Sequence, residues 1–159
     1  MPMPIMPFVP FSVITAIPPL LMQAVFFLSF LVAASVFDIH KRIIPNSICV
    51  LIALTGLITF SPVNLFGIIA ALPLFIAALC KQGSIGGGDI KLAASAGFVM
   101  GFGNSVAGLV IGLSAMLIYY AGQRIVARVK KRDRPIITAA LPMAPFLSIG
   151  FILIYLLSI

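Results

Sequence analysis

Acidic residues are almost missing. The chain of 159 residues has no glutamate and only three aspartates, Asp38, Asp89 and Asp133. Charge of either sign is scarce, at 8% of residues, against about 25% in a soluble domain. With 62% hydrophobic residues and a mean hydropathy of +1.27, no soluble fold of this size hides so much apolar surface. That leaves an integral membrane protein. Cysteine is equally sparse. Cys49 and Cys80 form no CxxC and have no histidine near them, which argues against a disulfide framework or zinc and for buried apolar thiols. The one histidine, His40, stands beside Lys41 and Arg42. It could act as a base or a ligand, but a solvated loop residue is the simpler reading. No positive charge precedes the first apolar stretch, so a signal-peptide n-region is not seen and the first span is expected to stay in the mature protein.

The charges that are present fall in three windows, 38–42, 81–91 and 124–134, and the other 132 residues carry none. Between the windows lie apolar stretches of membrane-spanning length. Residues 1–19 hold six of the twelve prolines. This density predicts an irregular interfacial segment over 1–18. Spans follow at 19–37, 46–60, 63–80, 89–102, 105–123 and 136–158. Pro73 is expected to kink the third. Ala93, Ala94, Ser95, Ala96 and Gly97 make the fourth a close-packing helix at the centre of the bundle. Gly108 and Gly112 give the fifth a small-residue face. Asn46 is placed to cap the second span, and Gly103-Asn104 to turn between the fourth and fifth.

The reading is thus all-α: one polytopic membrane domain over 1–159 with about six transmembrane helices. Six spans put every Lys and Arg on one side. The positive-inside rule makes that side the cytoplasm and leaves both termini outside it. The net charge of +7 is explained in this way rather than by nucleic acid, with the basic run 124–134 facing anionic lipid headgroups. Asp133 in that run reads as a solvated loop charge.

Asp38 ends the first span and Asp89 opens the fourth, both on the basic side. An ionisable group at a membrane edge calls for a partner. If the two carboxylates meet, they share a proton, and one can act as base and the other as acid on a peptide bond. Alternatively each pairs with a basic neighbour, Asp38 with Lys41 or Arg42 and Asp89 with Lys91. Asp89 could also simply favour its helix start. Gly86-Gly87-Gly88 before Asp89 is either a flexible loop or a place where a substrate backbone lies close to the acid. Lys91 is most simply a charge of the cytoplasmic side.

Asp38, then Ile44-Pro45-Asn46, then Gly86-x-Gly88-Asp89-x-Lys91-Leu92, then Leu141-Pro142-Met143-Ala144-Pro145-Phe146 resembles the type IV prepilin peptidase family. Those proteins are membrane aspartyl proteases with a GxGD motif. The resemblance implies that Asp38 and Asp89 are the catalytic pair of an aspartic endopeptidase in the cytoplasmic (inner) membrane, facing the cytoplasm. It implies removal of a basic leader from prepilin or pseudopilin precursors, with no metal or other cofactor. It brings Pro45, Asn46, Gly86, Gly87, Gly88, Lys91, Pro142 and Pro145 forward as candidate substrate contacts. The paired CxxC motifs of larger members, which also N-methylate the new terminus, do not occur here, so no methyltransferase activity is expected. Two other readings stand beside this one. A small transporter or ion-translocating protein would use the aspartates as proton or cation sites, although no internal repeat is visible. A silent relative that scaffolds pilus assembly would not need both acids.

Overall fold

The computed structural model describes residues 11–81, 85–129 and 142–159, and every regular element in them is helical. Helix α1 is Phe11–Lys41 and α2 is Asn46–Thr55; a 3₁₀ segment, Pro62–Ala71, leads into α3, Leu72–Cys80. Helix α4 is Gly87–Met100, α5 is Phe102–Val129 and α6 is Ala144–Ser158. The prolines before residue 11, the loop 82–84, and Lys130 to Leu141 with Asp133 lie outside the described residues.

Among the described residues three stretches are long and apolar enough to cross a membrane: Pro19–Lys41, Pro62–Cys80 and Phe102–Val126. Helices α2, α4 and α6, at 10, 14 and 15 residues, are shorter. The surface is apolar almost all round, with Val63, Phe66, Leu117, Ile118 and Leu157 all exposed. That is the exterior of a protein solvated by lipid. Inside, Phe27 and Leu31 of α1, Ile52 of α2, Leu92, Ala93 and Ala96 of α4, and Leu147 and Phe151 of α6 are fully buried.

Several boundaries differ from the sequence expectation. α1 starts at Phe11, so Pro18 and Pro19 lie within a helix and not in an irregular segment. In apolar surroundings the helix is the arrangement that satisfies the remaining backbone groups, and local proline losses are tolerated. α2 ends at Thr55. The chain then tightens through bonds from the Gly56, Leu57 and Ile58 N–H groups to carbonyls three residues back. Pro73 does not kink an α-helix; it sits in the first turn of α3, where the 3₁₀ winding gives way. α4 begins at Gly87, two residues before Asp89. Its end is set by Gly101 at φ 76°, so the turn into α5 comes two residues before Gly103. α5 runs on through Arg124, whose guanidinium lies 5.0 Å from the Tyr120 ring centroid.

The expected central helix is α4, which packs against α2, the 3₁₀ segment, α3, α5 and α6. Its closest neighbour is the 3₁₀ segment, because Gly67 and Gly97 touch backbone to backbone. A Cβ on either glycine would overlap the other's carbonyl. The Gly108 and Gly112 face is used in the same way against Gly150 and Phe146-Leu147 of α6. Without a hydrophobic drive between helices in lipid, this closeness supplies the association through van der Waals contact.

Gly97→Val drives a branched side chain into the Gly67 carbonyl. We expect it to cost at least about 1–3 kcal/mol, read as a lower melting temperature in detergent. Gly103→Ala, where a Cβ meets nothing within 4 Å, should melt with wild type. Equal melting of the two variants would remove the backbone contact from the fold.

Candidate active site

Asp38 lies in the last turn of α1, 7% exposed. Just beyond the helix Arg42 takes a left-handed φ of 54° and its N–H donates to the Asp38 carbonyl at 2.9 Å. A non-glycine residue there costs roughly 1–2 kcal/mol. The turn sends Ile43 outward and Ile44 inward, at 70% and 6% exposure. Pro45 is extended, at φ −61° and ψ 135°, and precedes α2. Asn46 makes no cap to α2, contrary to the sequence expectation. Its side-chain oxygen instead accepts a hydrogen bond from Lys91 Nζ at 2.9 Å. The cation thus reaches across to α2 and draws the Asn46 side chain away from the helix start.

Asp89 occupies the first turn of α4, 8% exposed, and its Oδ1 is buried with no hydrogen-bond partner. Its N–H donates to the Gly86 carbonyl at 3.1 Å. The three glycines ahead of it divide in role. A Cβ on Gly88 would stand 3.1 Å from the Ile44 Cβ, so this glycine lets the chain after α1 close over the start of α4. A Cβ on Gly86 would stand 3.1 Å from Asp89 Oδ2. Gly87 is exposed and a Cβ there meets nothing within 4 Å. Of the three, Gly87 leaves open space beside the acid.

The start of α6 completes the site. The Ala144 N–H donates to Asp38 Oδ2 at 2.9 Å, in a fully buried position. Pro145 is in the first helical turn, where its missing N–H costs nothing; Pro142 is half-buried just ahead of the helix. α6 runs antiparallel to α1: Ser148 Oγ donates to the Leu31 carbonyl at 3.2 Å, and the Tyr155 and Phe27 rings meet at 4.8 Å. Sequence reasoning missed Ala144, since a main-chain donor has no residue signature. The nearby prolines, which mark a helix start, were the available signal.

One end of the bundle therefore gathers the end of α1 and the starts of α2, α4 and α6. The two acids are brought within electrostatic reach there, and the charge of Asp38 acts on the Asp89 carboxyl. Their expected basic neighbours go elsewhere. Lys91 bonds Asn46, and Lys41 Nζ lies 5.6 Å from the centroid of the Phe37 ring. His40 is exposed. Among the described residues no group of three or more His, Cys, Asp or Glu could hold a metal ion. An open groove of about 640 Å³ runs between α2, the 3₁₀ segment and α4, on the face of α4 away from Asp89, and neither acid lines it. Asn46 and Lys91 line it, and its walls include Cys49, Ala53 and Phe98.

Both aspartates fall inside the stretch, residues 25–121, that matches the type IV leader peptidase family. The chain belongs to this family. It is 35% identical over 144 residues to a prepilin leader peptidase/N-methyltransferase of Bacillus subtilis (strain 168), which covers 86% of this chain. The chain spans about half of that relative's length, 56%. No solved structure matches the chain significantly.

Two stability outcomes follow from the geometry. Asp38→Ala strands a buried N–H and is expected to cost about 1–3 kcal/mol. Asp38→Asn keeps an acceptor and costs less, and Asp89→Asn removes no hydrogen bond from Oδ1. Melting in detergent would rank them, and an Asp38→Ala protein as stable as Asp89→Asn would contradict the assignment. Likewise Gly88→Val collides with Ile44 and should lower the melting temperature, whereas Gly87→Ala should not. Equal melting of these two would dismiss the Ile44 contact.

Proposed function

We propose that this family member is a membrane-embedded aspartic endopeptidase that cuts the leader from prepilin-like precursors. The observation that carries the reading is the pair of buried carboxylates, on separate helices at one end of the bundle, with neither neutralised by a described cation. Two carboxylates within electrostatic reach of each other do not both ionise cheaply, and the reading has the pair share one proton. The ionised member takes a proton from water as the water oxygen bonds to the peptide carbonyl carbon. The protonated member first supports the carbonyl oxygen, then a proton passes to the leaving nitrogen as the C–N bond breaks. The proton belongs to the pair, and neither role is tied to one residue. Gly87 is open to its surroundings two residues before Asp89, and Asn46 and Lys91 line a groove on the other face of α4.

The six-helix bundle is read as six membrane segments, the shorter helices included, with the site end toward the cytoplasm. Lys41, Arg42 and Lys91 at that end support this orientation. The membrane is then the inner, cytoplasmic one, with both termini on its outer side. Substrates would be prepilin or pseudopilin precursors. The relative's name also includes N-methyltransferase. The paired CxxC motifs of larger members do not occur in this chain, so leader removal without methylation is the reading. A transporter is less well supported, because both acids sit at one end of the bundle and not at its middle.

Co-expression with a prepilin-like precursor tests this directly. The wild-type protein is expected to shift the precursor to the shorter form on a gel. Asp38→Asn and Asp89→Asn should each leave it uncut, at unchanged levels of inserted enzyme. Processing at the wild-type rate by either variant would end the two-aspartate reading.

A further inference from the structure

The first turn of a helix leaves its leading N–H groups without intrahelical acceptors. In α6 the Leu147 N–H bonds the Met143 carbonyl at 3.2 Å. Pro145 has no N–H to satisfy. The Ala144 N–H has its acceptor 106 residues away, in Asp38 Oδ2. Ala144 is fully buried, so water cannot substitute for that carboxylate.

α6 is also held so that it cannot slide. On the α1 side lie the Ser148–Leu31 bond and the Phe27–Tyr155 ring contact. On the α5 side the backbone of Gly150 lies directly against Gly108 and Gly112. The helix thus delivers one N–H to one carboxylate oxygen. Asp38 Oδ1 has no hydrogen bond to a described residue.

We infer that Ala144 is a positioning residue for the peptidase reaction: its main-chain N–H fixes the Asp38 carboxylate through Oδ2, leaving Oδ1 as the oxygen offered to water or substrate. The inference rests on the endopeptidase reading above. The methyl side chain is part of the device. It packs in the core with no exposure, and any longer side chain forces the start of α6 away from Asp38. A reacting group displaced by about 1 Å can lose about a hundredfold in rate.

The test uses the full chain in detergent with the precursor that it processes. Ala144→Gly keeps the N–H and adds no bulk, and should retain kcat. Ala144→Leu should lower kcat by about a hundredfold with KM nearly unchanged. Gly101→Ala serves as the comparison. It strains a positive φ at the opposite end of α4, and should lose stability while keeping kcat. If Ala144→Leu loses no more kcat than Gly101→Ala at a matched drop in melting temperature, the role is only structural and the inference fails.

Hydrogen exchange reads the same bond without activity or any Ala144 variant. The Ala144 amide, relative to Leu147, should be protected in wild type and in Asp89→Asn, and should exchange at least about tenfold faster in Asp38→Ala. Equal exchange in the two variants overturns the inference. A wild-type protein that cuts no precursor overturns the endopeptidase reading and this role with it. A wild type that cuts while Ala144→Leu keeps its kcat overturns this role alone.

Discussion

A carboxylate taken out of water into an apolar bundle costs several kcal/mol unless something answers its charge. Among the described residues the answer is not a cation. Lys91 turns to Asn46 and Lys41 lies over Phe37. Asp38 is met by a main-chain N–H at the start of α6, and Asp89 sits in the first turn of α4, where N–H groups and the helix dipole favour negative charge. Helix starts are electropositive without carrying a proton or a flexible side chain. They can hold an acid without neutralising it, which is what the proposed pair of acids requires. The arrangement of the bundle follows from bringing three helix starts and one helix end to the same place.

Close approach of helices makes that possible. Gly67 against Gly97, and Gly108 with Gly112 against Gly150, bring backbones into contact where no hydrophobic force would press them together. Gly88 does the same locally by receiving Ile44, and this contact joins the chain leaving Asp38 to the chain entering Asp89. A Cβ at Gly88 would press on the Ile44 side chain, a milder clash than at Gly97, where it would meet backbone. The glycines near the acids thus divide between packing and access, with Gly87 on the side of access.

Much of this was legible in the sequence. The scarcity of charge marked the helical membrane class, the three charged windows marked the ends of α1, α3 and α5 and the start of α4, and the small residues of α4 marked its central place. Asp38 and Asp89 stood out because an isolated acid in an apolar chain needs a reason. What could not be read was set by the backbone. The Ala144 N–H has no side-chain signature. The left-handed turn at Arg42 sits on a residue that rarely adopts it. The 3₁₀ segment Pro62–Ala71 meets α4 backbone to backbone at Gly67, a contact between residues far apart in sequence. Asn46 looked like a cap because its type favours that role, and a lysine 45 residues away claimed its oxygen instead.

The shortness of α4 has a further consequence. Fourteen residues rise about 21 Å at 1.5 Å per residue, against about 30 Å of hydrocarbon in a typical bilayer. α2 and α6 are of similar brevity, and all three begin at the end where the acids lie. Read as membrane segments, as proposed above, such helices require the lipid around them to thin or bend to meet them. The headgroup layer then dips toward the carboxylates instead of the carboxylates rising to it. On the peptidase reading, water would meet the acids at a dimple in the membrane surface rather than through a pore.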